Sequence, residues 1–246
     1  MPNPLSDRAQ AIDYGRLATP PGALDNAVFW VFHAVVSTLL WIFFRSRVHG
    51  APPATGGYVI AANHTSFLDP LLVGSSLRRR VVYLMTETVW RSASAGWFYR
   101  WNRSIPLSAR GGNREALRAA REVLKQGRVV SIFPEGGLSR DGKLMLGSPG
   151  AVALVINEGL PIVPLGIIGA NEVLPASGGL RFRRITIRYG KPITPEEIAA
   201  LGEDRKTRLT NATRLIMQRI AELTGQEARE DVLEVARAAQ STSQST

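Results

Sequence analysis

Short apolar runs alternate with helical patterns from Tyr58 to Leu223, and that alternation is what most limits the fold. Strands are expected at Tyr58–Ala62, Arg80–Met85, Arg103–Leu107, Arg128–Phe133, Pro161–Ile168 and Arg184–Tyr189. Helices are expected at Ser66–Leu77, Asn113–Gln126, Ser148–Glu158 and Lys206–Leu223. Several of the strands are continuously apolar, the pattern of strands buried on both faces. A helical crossover between such strands joins them in parallel. The expected fold is therefore α/β, a mostly parallel central sheet flanked by helices. The punctuation agrees with it. Ser148-Pro149 is a helix start, and Gly127 and Gly159 stand where helices must stop.

A different kind of segment precedes the sheet. Ala27–Phe44 carries no charged side chain and is rich in Phe and Trp. As a helix at ~1.5 Å per residue it reaches about 27 Å, against ~30 Å for a hydrocarbon core. The length fits either a span or a helix lying partly in one leaflet. Basic residues, Arg45 and Arg47, follow the run rather than precede it. That order argues against a cleaved leader and places the following domain on the cytoplasmic face. A core helix of a soluble protein is the plain alternative. The expected division is a flexible lead at 1–26 with a short helix around Asp7–Leu17, a membrane helix at 27–47 and an α/β domain at 48–225. A C-terminal helix, Gln226–Ala239, would follow, then a disordered tail, Ser241–Thr246.

Charge narrows the partners. The chain has 30 Lys and Arg against 20 Asp and Glu, a net +10. Such a surplus calls for an anionic partner: nucleic acid, a phospholipid surface or a phosphorylated substrate. With no cysteine there is no disulfide, thiol nucleophile or thiolate metal site. The three histidines, His33, His49 and His64, are not spaced as zinc ligands, and no metal is implied. Phosphate-loop, dinucleotide and Gly-x-Ser-x-Gly motifs are absent.

Two stretches carry chemistry. Asn63-His-Thr-Ser-Phe-Leu-Asp69 lies between an expected strand and an expected helix. A carboxylate in reach of one ring nitrogen fixes the tautomer and leaves the other nitrogen as a base, able to take a proton from an alcohol. Ser66 to Asp69 also reads as a capping box, and Asp69 can serve both ends. Phe133-Pro-Glu-Gly-Gly137 closes a later strand. Ligands bind at that edge of open α/β sheets, and Gly136 and Gly137 let backbone N–H groups approach an oxyanion or phosphate. Arg140 and Lys143 stand nearby; a plain turn with a solvated Glu135 is the bland reading.

Together the two stretches resemble the glycerolipid acyltransferase family, whose best-known members are lysophosphatidic acid acyltransferases. His64 and Asp69 match the family's His-x-x-x-x-Asp motif, and Phe133, Pro134, Glu135, Gly136 and Ser139 match its Phe-Pro-Glu-Gly-Thr-Arg-Ser block. Gly137 and Leu138 stand where the family has Thr-Arg, leaving Arg140 as a stand-in. Ile162–Ile167 is similar to the Val-Pro strand, and Ile105–Gly111 to the block ending in an acceptor-phosphate arginine, with Arg110 one residue late. The resemblance implies transfer of a fatty acyl group from acyl-CoA or acyl-carrier protein to the hydroxyl of a lysophospholipid, most simply 1-acylglycerol-3-phosphate. His64 would be the general base and Asp69 its orienting partner. Arg103, Arg110 and Glu135 would hold the phosphoglycerol head, with Gly136, Gly137 and Arg140 beside it. The oxyanion would rest on N–H groups of either the Asn63–Ser66 or the Gly136–Gly137 turn. No cofactor is implied beyond the acyl donor, and the partners are a phospholipid membrane and the two substrates, with no nucleic acid.

Other readings remain. The acceptor is open to other lysolipids, and a non-catalytic lysolipid binder or a basic nucleic-acid-binding protein would also carry this charge. Against nucleic acid stand the apolar helix and the lack of any nucleic-acid-binding motif.

Overall fold

A computed structural model describes residues 12–175 and 178–227. Helix α1 (Tyr14–Ala18) and the long α2 (Ala23–Phe44) come first, followed by strand β1 (Arg47–His49). Then come β2 (Tyr58–Ala62), α3 (Asp69–Ser75), β3 (Val81–Thr86), α4 (Glu87–Trp90), α5 (Gly96–Trp101) and β4 (Ile105–Leu107). The second half holds α6 (Arg114–Lys125), β5 (Val129–Ile132), α7 (Gly150–Val155), β6 (Ile162–Ile168), α8 (Ala170–Val173) and β7 (Thr186–Tyr189). Helices α9 (Pro195–Ala200) and α10 (Arg205–Thr224) complete the order.

The sheet runs β1-β7-β6-β2-β5-β3-β4. It is parallel except between β6 and β7. All five residues of β2 are buried. Alternate side chains of β2 enter two cores, Val59 and Ala61 one face, Tyr58, Ile60 and Ala62 the other. Helices α6, α7 and α10 cover the first face; α2, α3 and α5 cover the second. Burying a side chain such as Ile60 contributes about 1.5–3 kcal/mol.

All six expected strands and four expected helices are present, with shifted ends. Helix α7 is shorter than Ser148–Glu158. Pro149 is its N-cap residue, and Ser148 Oγ only accepts from Gly150 N–H at 3.3 Å. Strand β1 and the short helices α4, α5, α8 and α9 were not expected. A three-residue edge strand and one-turn helices carry too little periodicity to register. Helix α9 does carry a capping box, Thr194 with Glu197.

The N-terminal region needs correction. The short helix expected around Asp7–Leu17 is found at Tyr14–Ala18, and it is not part of a flexible lead, since its Leu17 and Ala18 are buried in the first core. Helix α2 starts at Ala23, not Ala27, because Gly22 caps it and Asp25 sits in its first turn. Arg47, assigned to the membrane helix, pairs with Thr186 in the sheet. At the other end Gln226 and Glu227 are not helical; the rest of the expected C-terminal helix and tail lies outside the described residues.

Helix α2 is apolar on two sides. Phe29, Leu40 and Phe44 are buried, and Phe29 and Phe32 pack on Trp101. His33 Nε2 lies 3.1 Å from the Leu77 carbonyl. Val28, Val31, Val35, Leu39 and Ile42 are exposed on the opposite side.

One close approach in the core has a direct consequence. A Cβ on Gly57, just before β2, would lie 2.1 Å from the Leu124 carbonyl oxygen. That contact is with backbone, which cannot swing away. Gly57→Ala should destabilise the domain by about 1–3 kcal/mol, the usual cost of overpacking. Thermal denaturation should therefore give a Tm lower by ~2–4 °C for each kcal/mol.

Candidate active site

The strand β2 delivers His64 to the carboxyl edge of the sheet, and the turn into α3 brings Asp69 back to it. Asp69 Oδ2 accepts from His64 Nδ1 at 2.9 Å, from Thr65 N–H at 2.7 Å and from Ser66 N–H at 2.8 Å. Half of the expected capping box forms: the Asp69 carboxylate takes the Ser66 N–H. Ser66 Oγ instead donates to the Leu174 carbonyl at 2.9 Å. Asp69 thus ends the strand turn and orients the imidazole at once. With two backbone N–H groups already on Oδ2, the ionised carboxylate favours the tautomer with the proton on Nδ1, which leaves Nε2 with its lone pair. Asp69 is fully buried. Burial pushes its carboxyl above the ordinary range, and the bonds from His64, Ser66 and Thr65 pull it back.

The His64 ring stacks on Phe133, centroids 4.1 Å apart. Its outer side opens on a cavity of about 300 Å³. Tyr83, Leu84, Met85, Tyr99 and Leu107 form the apolar part of the wall, and Gly136, Gly137 and Leu138 close one side. Gly136 has φ 69°, a conformation that favours glycine.

Glu135 is not free to hold a substrate head. It is 8 % exposed, Oε1 accepting from His64 N–H at 2.8 Å and Oε2 from Met145 N–H at 2.9 Å. Burial raises its carboxyl above the ordinary range, and those two N–H groups and His64 lower it. It ties the His64 turn to the 136–148 loop. A second tie runs beside it, Ser139 N–H donating to the His64 carbonyl at 2.8 Å.

The arginines separate. Arg110 and Arg140 are exposed on loops that follow β4 and β5, at the same sheet edge as His64. Arg103 does not line the His64 cavity. It precedes β4, holds the left-handed φ of 55°, and its Nη1 donates to the Arg16 and Thr19 carbonyls at 2.9 and 3.0 Å.

Sequence reasoning gave the Asn63 side chain no role, placing the residue only in a candidate oxyanion turn, and took Gln226 only as the start of a C-terminal helix. Asn63 is bonded both ways to Ile167, Nδ2 to its carbonyl at 2.9 Å and Oδ1 from its N–H at 2.7 Å. Its Nδ2 also meets Gln226 Oε1 at 2.9 Å, and Gln226 Nε2 donates to the Gly142 carbonyl. Position next to His64 marked Asn63; nothing in the sequence marked Gln226.

The chain matches the Acyltransferase family model over residues 45–168, half its length, and belongs to that family. It is 24% identical over 197 residues to the chloroplast 1-acyl-sn-glycerol-3-phosphate acyltransferase of Brassica napus, covering 75% of this chain and 57% of that one. A 1-acyl-sn-glycerol-3-phosphate acyltransferase of Bacillus subtilis is 27% identical, covering 70% of this chain and 83% of its own. The chain thus spans little more than half of its plant relative. The crystal structure of the 1-acyl-sn-glycerophosphate acyltransferase of Thermotoga maritima has the same fold, with TM-score 0.63 at 20% identity over 92% of this chain and 88% of that one.

Glu135→Ala should leave the His64 and Met145 N–H groups without an acceptor. Each such loss costs about 1–3 kcal/mol. The Tm should fall clearly, and less in Glu135→Gln, which keeps one acceptor oxygen. A head-group role alone would leave the substrate-free Tm of both variants unchanged.

Proposed function

We propose that the protein transfers an acyl group from a thioester to the hydroxyl of 1-acylglycerol-3-phosphate. The observation that carries this is the His64–Asp69 pair, oriented by a buried carboxylate beside an apolar cavity. The names of the relatives from Brassica napus and Bacillus subtilis support the acceptor. His64 Nε2 removes the proton of the acceptor hydroxyl as its oxygen attacks the thioester carbonyl; the resulting imidazolium is stabilised by Asp69 and returns the proton to the leaving thiolate. No covalent acyl-enzyme is required.

The N–H groups of His64, Thr65 and Ser66 are occupied by Glu135 and Asp69, and that of Gly136 by the Phe133 carbonyl. Gly137 N–H has no partner among the described residues and lies in the cavity wall. Leu138 N–H in the same wall is likewise unpartnered among the described residues, and the oxyanion is assigned to the Gly137–Leu138 N–H groups. The head-group phosphate is assigned to Arg110 and Arg140, which suit a charge-assisted contact.

The membrane reading rests on α2. Its inner side is tied to the domain from Phe29 to Phe44, which leaves only the outer side for lipid. A helix so fastened lies in one leaflet rather than crossing it, with the domain on the cytoplasmic face.

Purified protein given lysophosphatidic acid and acyl-CoA should release thiol. His64→Ala should lower that rate by about 10²–10⁴ while circular dichroism stays unchanged. Near-normal turnover in this variant would remove the mechanism.

Val31→Glu with Val35→Glu should weaken sedimentation with phospholipid vesicles at high salt, where charge attraction is screened. The Tm should stay within a degree or so, since both side chains are exposed. Unchanged sedimentation would place the lipid contact elsewhere.

A further inference from the structure

A basic and aromatic loop before β7 takes no part in the chemistry above. Residues 178–184 read Gly-Gly-Leu-Arg-Phe-Arg-Arg, and every one of them is exposed. The loop is nonetheless fastened. Arg181 N–H donates to the Val173 carbonyl at 2.8 Å, and Ile185 N–H, just past the loop, donates to the Phe44 carbonyl at 3.1 Å. The Phe182 ring stacks on Phe44, centroids 6.1 Å apart, and meets Phe43 at 5.8 Å. The loop therefore rests on the carboxyl end of α2.

These contacts leave most of the apolar surface uncovered. Phe182 is 67 % exposed and Leu180 56 %. Trp41, Ile42 and Phe43 are exposed on the adjoining turn of α2. Through Phe43 and Phe182 the outer apolar stripe of α2 continues onto the loop.

Cations rim this surface. Arg45 and Arg47 follow α2, and Arg181, Arg183 and Arg184 stand on the loop, all of them exposed. None of these guanidinium groups forms an ion pair among the described residues. Neither segment supplies a counter-charge. No Asp or Glu stands between Asp25 and Asp69, or between Glu172 and Glu196.

Exposed Phe and Leu among unpaired Arg fit a phospholipid interface. The apolar groups enter the head-group boundary, and the guanidinium groups meet lipid phosphate. Nucleic acid would match the charge and leave the continuous apolar stripe unused. The loop also stands at the right edge of the sheet. Strand β6 ends and β7 begins at the carboxyl edge, which carries His64. Ser66, in the His64 turn, donates Oγ to the Leu174 carbonyl, next to the Val173 carbonyl that holds Arg181.

We propose that residues 178–184, with Arg45, dock the domain on an anionic phospholipid leaflet. Leu180 and Phe182 enter the interface, and the arginines pair with lipid phosphates. The inference rests on the reading that α2 lies in one leaflet. It adds a selectivity for anionic lipid and a second contact at the sheet edge of His64.

The test is sedimentation of the full chain at moderate salt, with vesicles of phosphatidylcholine alone or with phosphatidylglycerol added. The wild type should bind the anionic vesicles at least about tenfold more tightly, since each arginine near such a surface adds to the attraction. Arg181→Gln with Arg183→Gln and Arg184→Gln should remove most of that preference, and lysine at the same three positions should keep it. Phe182→Ser should weaken binding to both kinds of vesicle. Arg118→Gln with Arg205→Gln and Lys206→Gln removes equal charge from α6 and α10, on the opposite face of the sheet, and should preserve the preference. Phosphatidylcholine vesicles at high salt report the α2 contact separately, and the triple arginine variant should bind them as the wild type does. Equal binding of the wild type to both vesicles would overturn the proposal, whatever α2 does. So would a preference that survives the triple arginine substitution, or one lost equally in the α6 and α10 variant, since net charge alone would then explain it. A triple variant that loses duplex DNA while keeping its vesicle preference would make the loop a nucleic-acid contact instead.

Discussion

One carboxylate oxygen, Asp69 Oδ2, is the point on which the site depends. It gathers two backbone N–H groups of the turn and the Nδ1–H of His64. The first two bonds fold the turn and the third aims the ring. Local structure and chemistry therefore cannot be separated at this residue. The cost is a fully buried carboxylate, and the converging donors offset it. The sheet supplies the rigidity, since β2 enters the turn buried on both faces and held between β5 and β6.

Around that turn the fold places ties of high sequence separation. Glu135 joins the His64 and Met145 N–H groups, and Asn63 joins β2 to Ile167 on β6. Gln226, beyond the last helix, bridges Asn63 and the Gly142 carbonyl. The loop that closes the cavity is thereby fixed from the strand before it and from the segment that follows α10. Under the proposed mechanism, such positioning would hold the base and the oxyanion donor in one fixed relation.

Helix α2 is apolar on both of its sides. Its inner stripe completes the second core, and its outer stripe leaves Val31, Val35 and Ile42 exposed. An apolar run without a polar face fits that pattern. Through Phe32 on Phe98, α2 is also joined to the helix whose Tyr99 lines the His64 cavity.

The sequence by itself determined six of the sheet's seven strands and the pairing of His64 with Asp69. Both are local: unbroken apolar runs report two-sided burial, and five residues of turn return a carboxylate to a histidine. It also carried the family resemblance through Phe133 to Gly136. Only the tertiary structure decided what Glu135 and Arg103 do. Glu135 looks like a loop carboxylate until the fold brings Met145 and His64 N–H groups to it, and burial then makes those bonds its role. Arg103 looks like a phosphate ligand until the topology puts it before β4 and beside the carbonyls of α1. The contact of Asn63 with Gln226, 163 residues apart, has no local signature at all. Such contacts depend on which strands become neighbours, and a chain's periodicity reports burial without naming the partner.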